Sequence, residues 1–130
     1  MVWKHPEQLR QNLMFFKEPF EGPHDMEAHG VPRGRHGVYI IVARGKDGLF
    51  RMVDCDHSEA IDTALEDRKN RATWGAAYGG PLYLYVWLPD QDDPERRAEL
   101  AEAIRNRYYP WCRRPKHMIG EAGSKPSRYA

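Results

Sequence analysis

The sequence predicts an α+β fold, a small three-stranded sheet built from a β-hairpin plus one further strand and flanked by helices. The first observation is Gly37-Val38-Tyr39-Ile40-Ile41-Val42-Ala43, where six apolar or aromatic residues follow a glycine without a break. Its β-branched and aromatic content favours a strand, and the lack of alternation fits one buried on both faces, which helices must cover. The second is the loop Arg44-Gly45-Lys46-Asp47-Gly48, which joins that run to Leu49–Val53 as a hairpin would. The third is Leu82–Leu88, an aromatic and aliphatic run stopped by Pro89, with helical patterns before and after it.

The flanking elements follow from spacing and punctuation. Pro6 to Phe16 reads as a first helix: Pro6 and Glu7 suit a helix start, Leu9, Leu13 and Phe16 fall on one face, and Pro19 ends it. Residues 17–36 hold three prolines and three glycines and read as a long loop or arm. His24, Asp25, Glu27 and His29 cluster there, and such side chains are normal metal ligands. After the acidic stretch Asp54–Glu59, a helix is predicted over 59–71, with Ala60, Ile61, Ala64, Leu65 and Arg68 on its inner stripe. Trp74–Pro81 is glycine-rich but lacks the GK[ST] of a phosphate loop, and reads as a turn. Asp92-Asp93-Pro94-Glu95 is a helix start with a capping aspartate and an early proline, opening a helix over 94–108 whose inner stripe is Leu100, Ile104 and Tyr108. The last eleven residues have a disorder-prone composition.

The chain of 130 residues is long enough for one domain with a real core. It divides into an N-terminal helix and arm (1–36), a core (37–112) and a basic, flexible tail (113–130). Its apolar runs are too short to span a bilayer, which predicts no membrane association. The N-terminus carries no apolar leader, which predicts a cytoplasmic protein. Cys55 and Cys112 form neither a disulfide framework nor a CxxC pair. The net charge of +1 hides an asymmetry. From residue 105 onward the chain carries +6, leaving −5 for residues 1–104. A basic tail can meet a polyanion or simply be solvated.

The order of elements, together with Gly37-Val38-Tyr39, resembles the GIY-YIG nuclease domain over residues 37–112. Tyr109-Pro110-Trp111-Cys112 resembles the segment that closes that domain, and the helix over 94–108 matches its last helix in position. The resemblance implies a catalytic tyrosine at Tyr39, an arginine on the first core helix and a metal-binding glutamate on the last. It also implies phosphodiester cleavage assisted by Mg or Mn. The departures are specific. Met52-Val53-Asp54 stands where the family has Y-[IV]-G. Ala64 stands where the family has its arginine, leaving Arg68 as the nearby substitute. Glu99 and Glu102 compete for the glutamate's place. Groups that act as one unit fail together. Asp54, Asp56, Glu59 and Asp62 also set negative charge beside the would-be cleft.

The resulting expectation is a non-catalytic binding protein on a degenerate GIY-YIG-like scaffold, with no cofactor. The alternative is a divergent metal-dependent nuclease using Tyr39, Arg68 and Glu102, with Glu102 on the metal. A third reading pairs Cys55 and His57 as nucleophile and base. Arg105, Arg107, Tyr109, Trp111, Arg113, Arg114 and Lys116 are the candidate binding residues. Tyrosine, tryptophan and arginine together suit a protein interface, including self-association, and also nucleic acid. The protein partner is favoured, because the charge of −5 over residues 1–104 opposes a polyanion. The plainer roles are a core tyrosine for Tyr39 and a solvated helix face for Glu99 and Glu102.

Overall fold

The computed structural model describes residues 2–3, 13–44, 50–77 and 80–113. Gly37–Arg44 forms strand β4, and each of its first seven residues is buried. It lies inside a sheet whose other strands are β1 (Val2–Trp3), β2 (Leu13–Phe15), β3 (Glu18–Asp25), β5 (Phe50–Ser58) and β6 (Leu82–Trp87). The order is β1-β5-β4-β6-β3-β2, and every pairing is antiparallel. The expected three-stranded sheet is thus corrected. Among the described residues there are five strands of three residues or more, plus the two-residue β1. The hairpin and the third strand, expected at 38–43, 49–53 and 82–88, are β4, β5 and β6 at its centre.

The added strands come from segments read otherwise. Residues 13–15 were expected in a helix; they form β2, and the rest of that helix, residues 6–12, lies outside the described residues. Phe16 and Lys17 both have positive φ, 52° and 67°, which suits a two-residue turn matched to strand twist. Phe15 then buries its ring edge-on against Phe20 and Tyr108, at centroid distances of 5.2 and 5.6 Å. The expected loop 17–36 contains β3, whose Pro19, Gly22 and Pro23 hide it from strand patterns. β3 tolerates them because its register with β6 shifts between Glu21 and His24. A Cβ on Gly22 would come within 2.6 Å of both the Leu84 carbonyl oxygen and the Tyr85 ring.

The helix expected over 59–71 is two helices. α1 spans Ile61–Glu66 and α2 spans Arg68–Ala77. Between them Asp67 is extended, and its Oδ1 accepts the Asn70 N–H at 3.0 Å, an N-cap for α2. Trp74 to Ala77, expected in a turn, continue α2. α3 (Pro94–Tyr108) starts where expected, with Asp93 Oδ1 accepting the Arg96 N–H at 3.0 Å. It ends at left-handed Tyr109, φ 49°. Short 3-10 turns at Met26–Ala28 and Trp111–Arg113 complete the fold. Beyond Arg113 the predicted tail lies outside the described residues. Among the described residues, no helix is long and apolar enough to cross a membrane.

Alternation along β4 splits the core in two. Val38, Ile40 and Val42 join Cys55, Tyr85 and Trp87 beneath Leu100, Ala101 and Ile104 of α3. Tyr39, Ile41 and Ala43 join Val53, Leu84 and Val86 beneath Ile61, Leu65 and Trp74 of α1 and α2. Fully burying an isoleucine such as Ile40 or Ile41 contributes about 1.5–3 kcal/mol, so both layers are strongly held.

The glycine of the Gly-Val-Tyr motif has a packing role in this sheet. A Cβ at Gly37 would lie 2.0 Å from the Trp87 carbonyl oxygen and 3.1 Å from its carbonyl carbon, both backbone atoms of β6. Gly37→Ala should therefore force β4 and β6 apart and destabilise the protein by roughly 1–3 kcal/mol. Urea unfolding at an unchanged m-value checks this, and an unshifted midpoint would contradict it.

Candidate functional site

Tyr39, the catalytic candidate of the nuclease alternative, lies on the α1/α2 face with 2% of its surface exposed. The Trp74 ring packs against it edge-to-face, with centroids 6.0 Å apart at 69°. Trp74 is itself fully buried, and its Nε1–H donates to Asp54 Oδ2 at 2.7 Å. Asp54 Oδ1 accepts the Cys55 N–H at 2.8 Å, and the residue is only 3% exposed. A bulge in β5 makes this arrangement. Ile41 pairs with Asp54 while the next β4 residue, Val42, pairs with Met52, so Val53 is the extra residue. Val53 and Asp54, though consecutive, thereby face the same side, and Met52 faces α3 with the other core layer. The residue where the family has glycine holds a tryptophan across the tyrosine.

The other nuclease candidates do not gather around Tyr39. Arg68 is exposed at the start of α2. Glu102 is exposed on α3, and Glu99 is half-buried on the same helix. α3 packs on the opposite side of the sheet, so β4 and its neighbours stand between Tyr39 and both glutamates. Among the described residues, no group of three or more His, Cys, Asp or Glu side chains is placed to hold a metal ion. The cluster at 24–29 serves local structure. Asp25 Oδ1 accepts the Glu27 N–H at 2.7 Å, Glu27 pairs with Arg71 at 2.7 Å, and His29 Nδ1 accepts the Val31 N–H at 3.0 Å.

A network of charged groups sits where β5 meets α3. Arg97, 8% exposed, donates from Nε to His57 Nδ1 at 3.1 Å and pairs through its guanidinium with Asp92. Arg105 donates to the Cys55 carbonyl at 3.2 Å and to Asp56 Oδ1 at 3.3 Å. Cys55 is fully buried, with Sγ 3.9 Å from the Ala101 carbonyl oxygen, which does not suit a nucleophile meeting substrate. Burial holds the His57 pKa below 6.5, with Arg97 and Arg105 adding to the effect and Asp56 and Asp92 opposing it. Trp74 and Arg97 are absent from the candidates read from sequence. Arg97 carried a signal, because the stripe Ile104, Ala101, Leu100 runs back to it at helical spacing.

At the end of α3 the predicted binding residues divide. Arg105 is committed to β5. Arg107, Tyr109 and Trp111 face outward, with Tyr109 48% and Trp111 47% exposed. Between and after the aromatics, Pro110 is buried and Cys112 packs with the α2-side core, which fixes the turn. Arg113 is the last described residue, and Arg114 and Lys116 lie outside the described residues. From Ile104 to Arg113 the sequence contains no acid. Comparison with family models, curated proteins and solved structures finds no significant match to this chain.

The His57 bond gives a signed pH dependence. The unfolded chain binds this proton more readily than the folded one. The stability from neutral His57 is therefore fully present above pH 6.5 and is lost as pH falls below 6.5 towards the folded value. Urea unfolding free energy should fall between about pH 7.5 and about pH 5.5, and fall less in His57→Gln, whose amide oxygen can still accept from Arg97. Equal losses in the two proteins would contradict the assignment.

Proposed function

We propose that this is a non-catalytic binding protein, on a scaffold that resembles the GIY-YIG nuclease domain over residues 37–112 but has lost its chemistry. The single observation that carries this reading is Trp74, held by Asp54 across a Tyr39 that is 2% exposed. A tyrosine that assists attack on a phosphodiester must meet the substrate. Here a fully buried indole packs against its ring, and the family's other roles fall on Arg68, at the start of α2, and on Glu102, across the sheet. The reading assigns no cofactor and places the protein in the cytoplasm.

The favoured partner is another protein, including a second copy of this chain, met through Arg107, Tyr109 and Trp111. Half-exposed aromatics fixed by buried neighbours suit interface anchors. The acid-free run Ile104–Arg113 supports a second reading, in which the same end contacts nucleic acid through phosphates and stacking.

Two measurements separate these readings. Incubation with plasmid and single-stranded RNA, with Mg²⁺ or Mn²⁺, should give no cleavage above buffer. Cleavage abolished by Tyr39→Phe and by Glu102→Ala would establish the divergent nuclease instead. Trp111→Ala and Tyr109→Ala should weaken self-association in sedimentation with little salt dependence. Tight binding to duplex or single-stranded DNA, with a logarithmic salt slope near −0.9 per neutralised phosphate on duplex, would favour the nucleic-acid reading.

A further inference from the structure

α3 carries its unpaired charge in two parts. Glu95, Glu99 and Glu102 are spaced four and three apart, so they line one face of the helix. The helix dipole favours acids in the first turn, which accounts for Glu95 but not for Glu99 or Glu102. Like charges at this spacing disfavour an isolated helix. Of the four arginines of α3, three are committed within the chain. Arg96 pairs with Glu18 at 2.6 Å, Arg97 with Asp92, and Arg105 with Asp56 at 3.3 Å. The fourth, Arg107, is exposed in the last turn, and Glu95 and Glu102 are exposed as well. Among the described residues, these three have no ion-pair partner.

We infer that the partner met by Arg107, Tyr109 and Trp111 is a second copy of this chain, whose α3 lies antiparallel to the first so that Arg107 of each copy meets the Glu95–Glu102 face of the other. This inference rests on the binding reading above and names its partner. Symmetry is the reason a second copy fits. A two-fold contact sets one patch against itself, so the patch must be self-complementary. A helix with an unpaired cation at its end and unpaired anions before it becomes self-complementary when its partner is reversed. A parallel pairing would instead set glutamate against glutamate. Arg107 lies eight residues past Glu99, about 12 Å along the helix. With the two-fold axis at Ala103, midway between them, Arg107 stands opposite Glu99, and Glu95 and Glu102 lie about a turn to either side. Ala103 is small and half-buried, which lets the helices approach there. Tyr109 and Trp111 follow Arg107 closely and supply the apolar contact, while the charges select the partner and its direction.

The test is charge reversal read by sedimentation velocity over a range of protein concentrations at one salt concentration. One variant carries Arg107→Glu, and the other carries Glu95→Lys with Glu102→Lys. All three side chains are exposed, so both variants should fold, which circular dichroism checks. Wild type should reach twice the protomer mass as concentration rises. Each variant alone should self-associate at least about tenfold more weakly, because like charges then face each other at both ends of the contact. Mixed one to one, the two variants should associate about as wild type does. The reversed end of one then meets the reversed face of the other, and the unreversed pair is kept. A mixture no more associated than either variant alone would overturn the inference, as would a variant that associates as tightly as wild type. If Trp111→Ala still weakens self-association in that case, the binding reading stands and the antiparallel pairing alone falls. Protomer mass for wild type at every concentration would also overturn the inference, and would leave a different protein as the partner. Self-association untouched by Tyr109→Ala and Trp111→Ala would overturn the binding reading and this inference with it.

Discussion

Burial of β4 on both faces is the constraint on which the rest of this structure depends. A strand apolar on every residue from Val38 to Ala43 has no face to give to water, so it must be central and covered twice. α3 covers one face, and α1 with α2 covers the other. Neighbouring residues of β4 are thereby sent to different layers. Tyr39 goes under α2, while Leu100, Ala101 and Ile104 of α3 share a core layer with Val38, Ile40 and Val42. Any chemistry that needs Tyr39 and a glutamate of α3 together would have to act around the sheet.

The bulge at Val53 adds the second constraint. Without the bulge, regular alternation would turn Asp54 to the α3 face with Met52. With it, Asp54 shares a face with Val53 and meets the Trp74 indole. A buried carboxylate is expensive unless its oxygens are bonded, and here one accepts an indole N–H and the other a backbone N–H. The acidic run from Asp54 to Asp67, which resembles a solvated face in sequence, is largely a set of acceptors for N–H groups. Besides Asp54 and Asp56, Asp62 accepts the Gly34 N–H at 2.9 Å and Asp67 caps α2. Charge that discourages phosphate in the sequence reading thus also serves to start a helix, hold a loop and accept N–H groups of β5.

What was legible in the sequence was what local physics decides. β4, the first part of β5, β6 and α3 follow from unbroken or stripe-like apolar patterns, and the Asp93-Pro94 start marks α3 directly, whereas Asp54–Ser58, which reads as an acidic stretch, continues β5. What was not legible was decided at a distance. Leu13 and Phe16 fit a helical face as well as a strand, and contacts of Phe15 with Phe20 and Tyr108 select the strand. β3 carries two prolines and a glycine that read as loop, and only pairing with β6 makes it a strand. The break at Asp67 interrupts a continuous stripe. The site was less legible still. Trp74 stands in a glycine-rich stretch that invites a turn, and its partner Asp54 faces it only because the bulge breaks the alternation of β5. Neither residue announces the other.

The central claim is that Asp54 locks Trp74 across Tyr39 and closes the face where a catalytic tyrosine would have to be open. The most direct measurement is hydrogen exchange of the Trp74 indole N–H by NMR, assigned through Trp74→Phe. The account predicts a strongly protected N–H whose protection is lost in Asp54→Ala while the protein stays folded. An indole N–H that exchanges as fast in the wild type as in Asp54→Ala would contradict it, because Trp74 would then not be held and Tyr39 would not be closed.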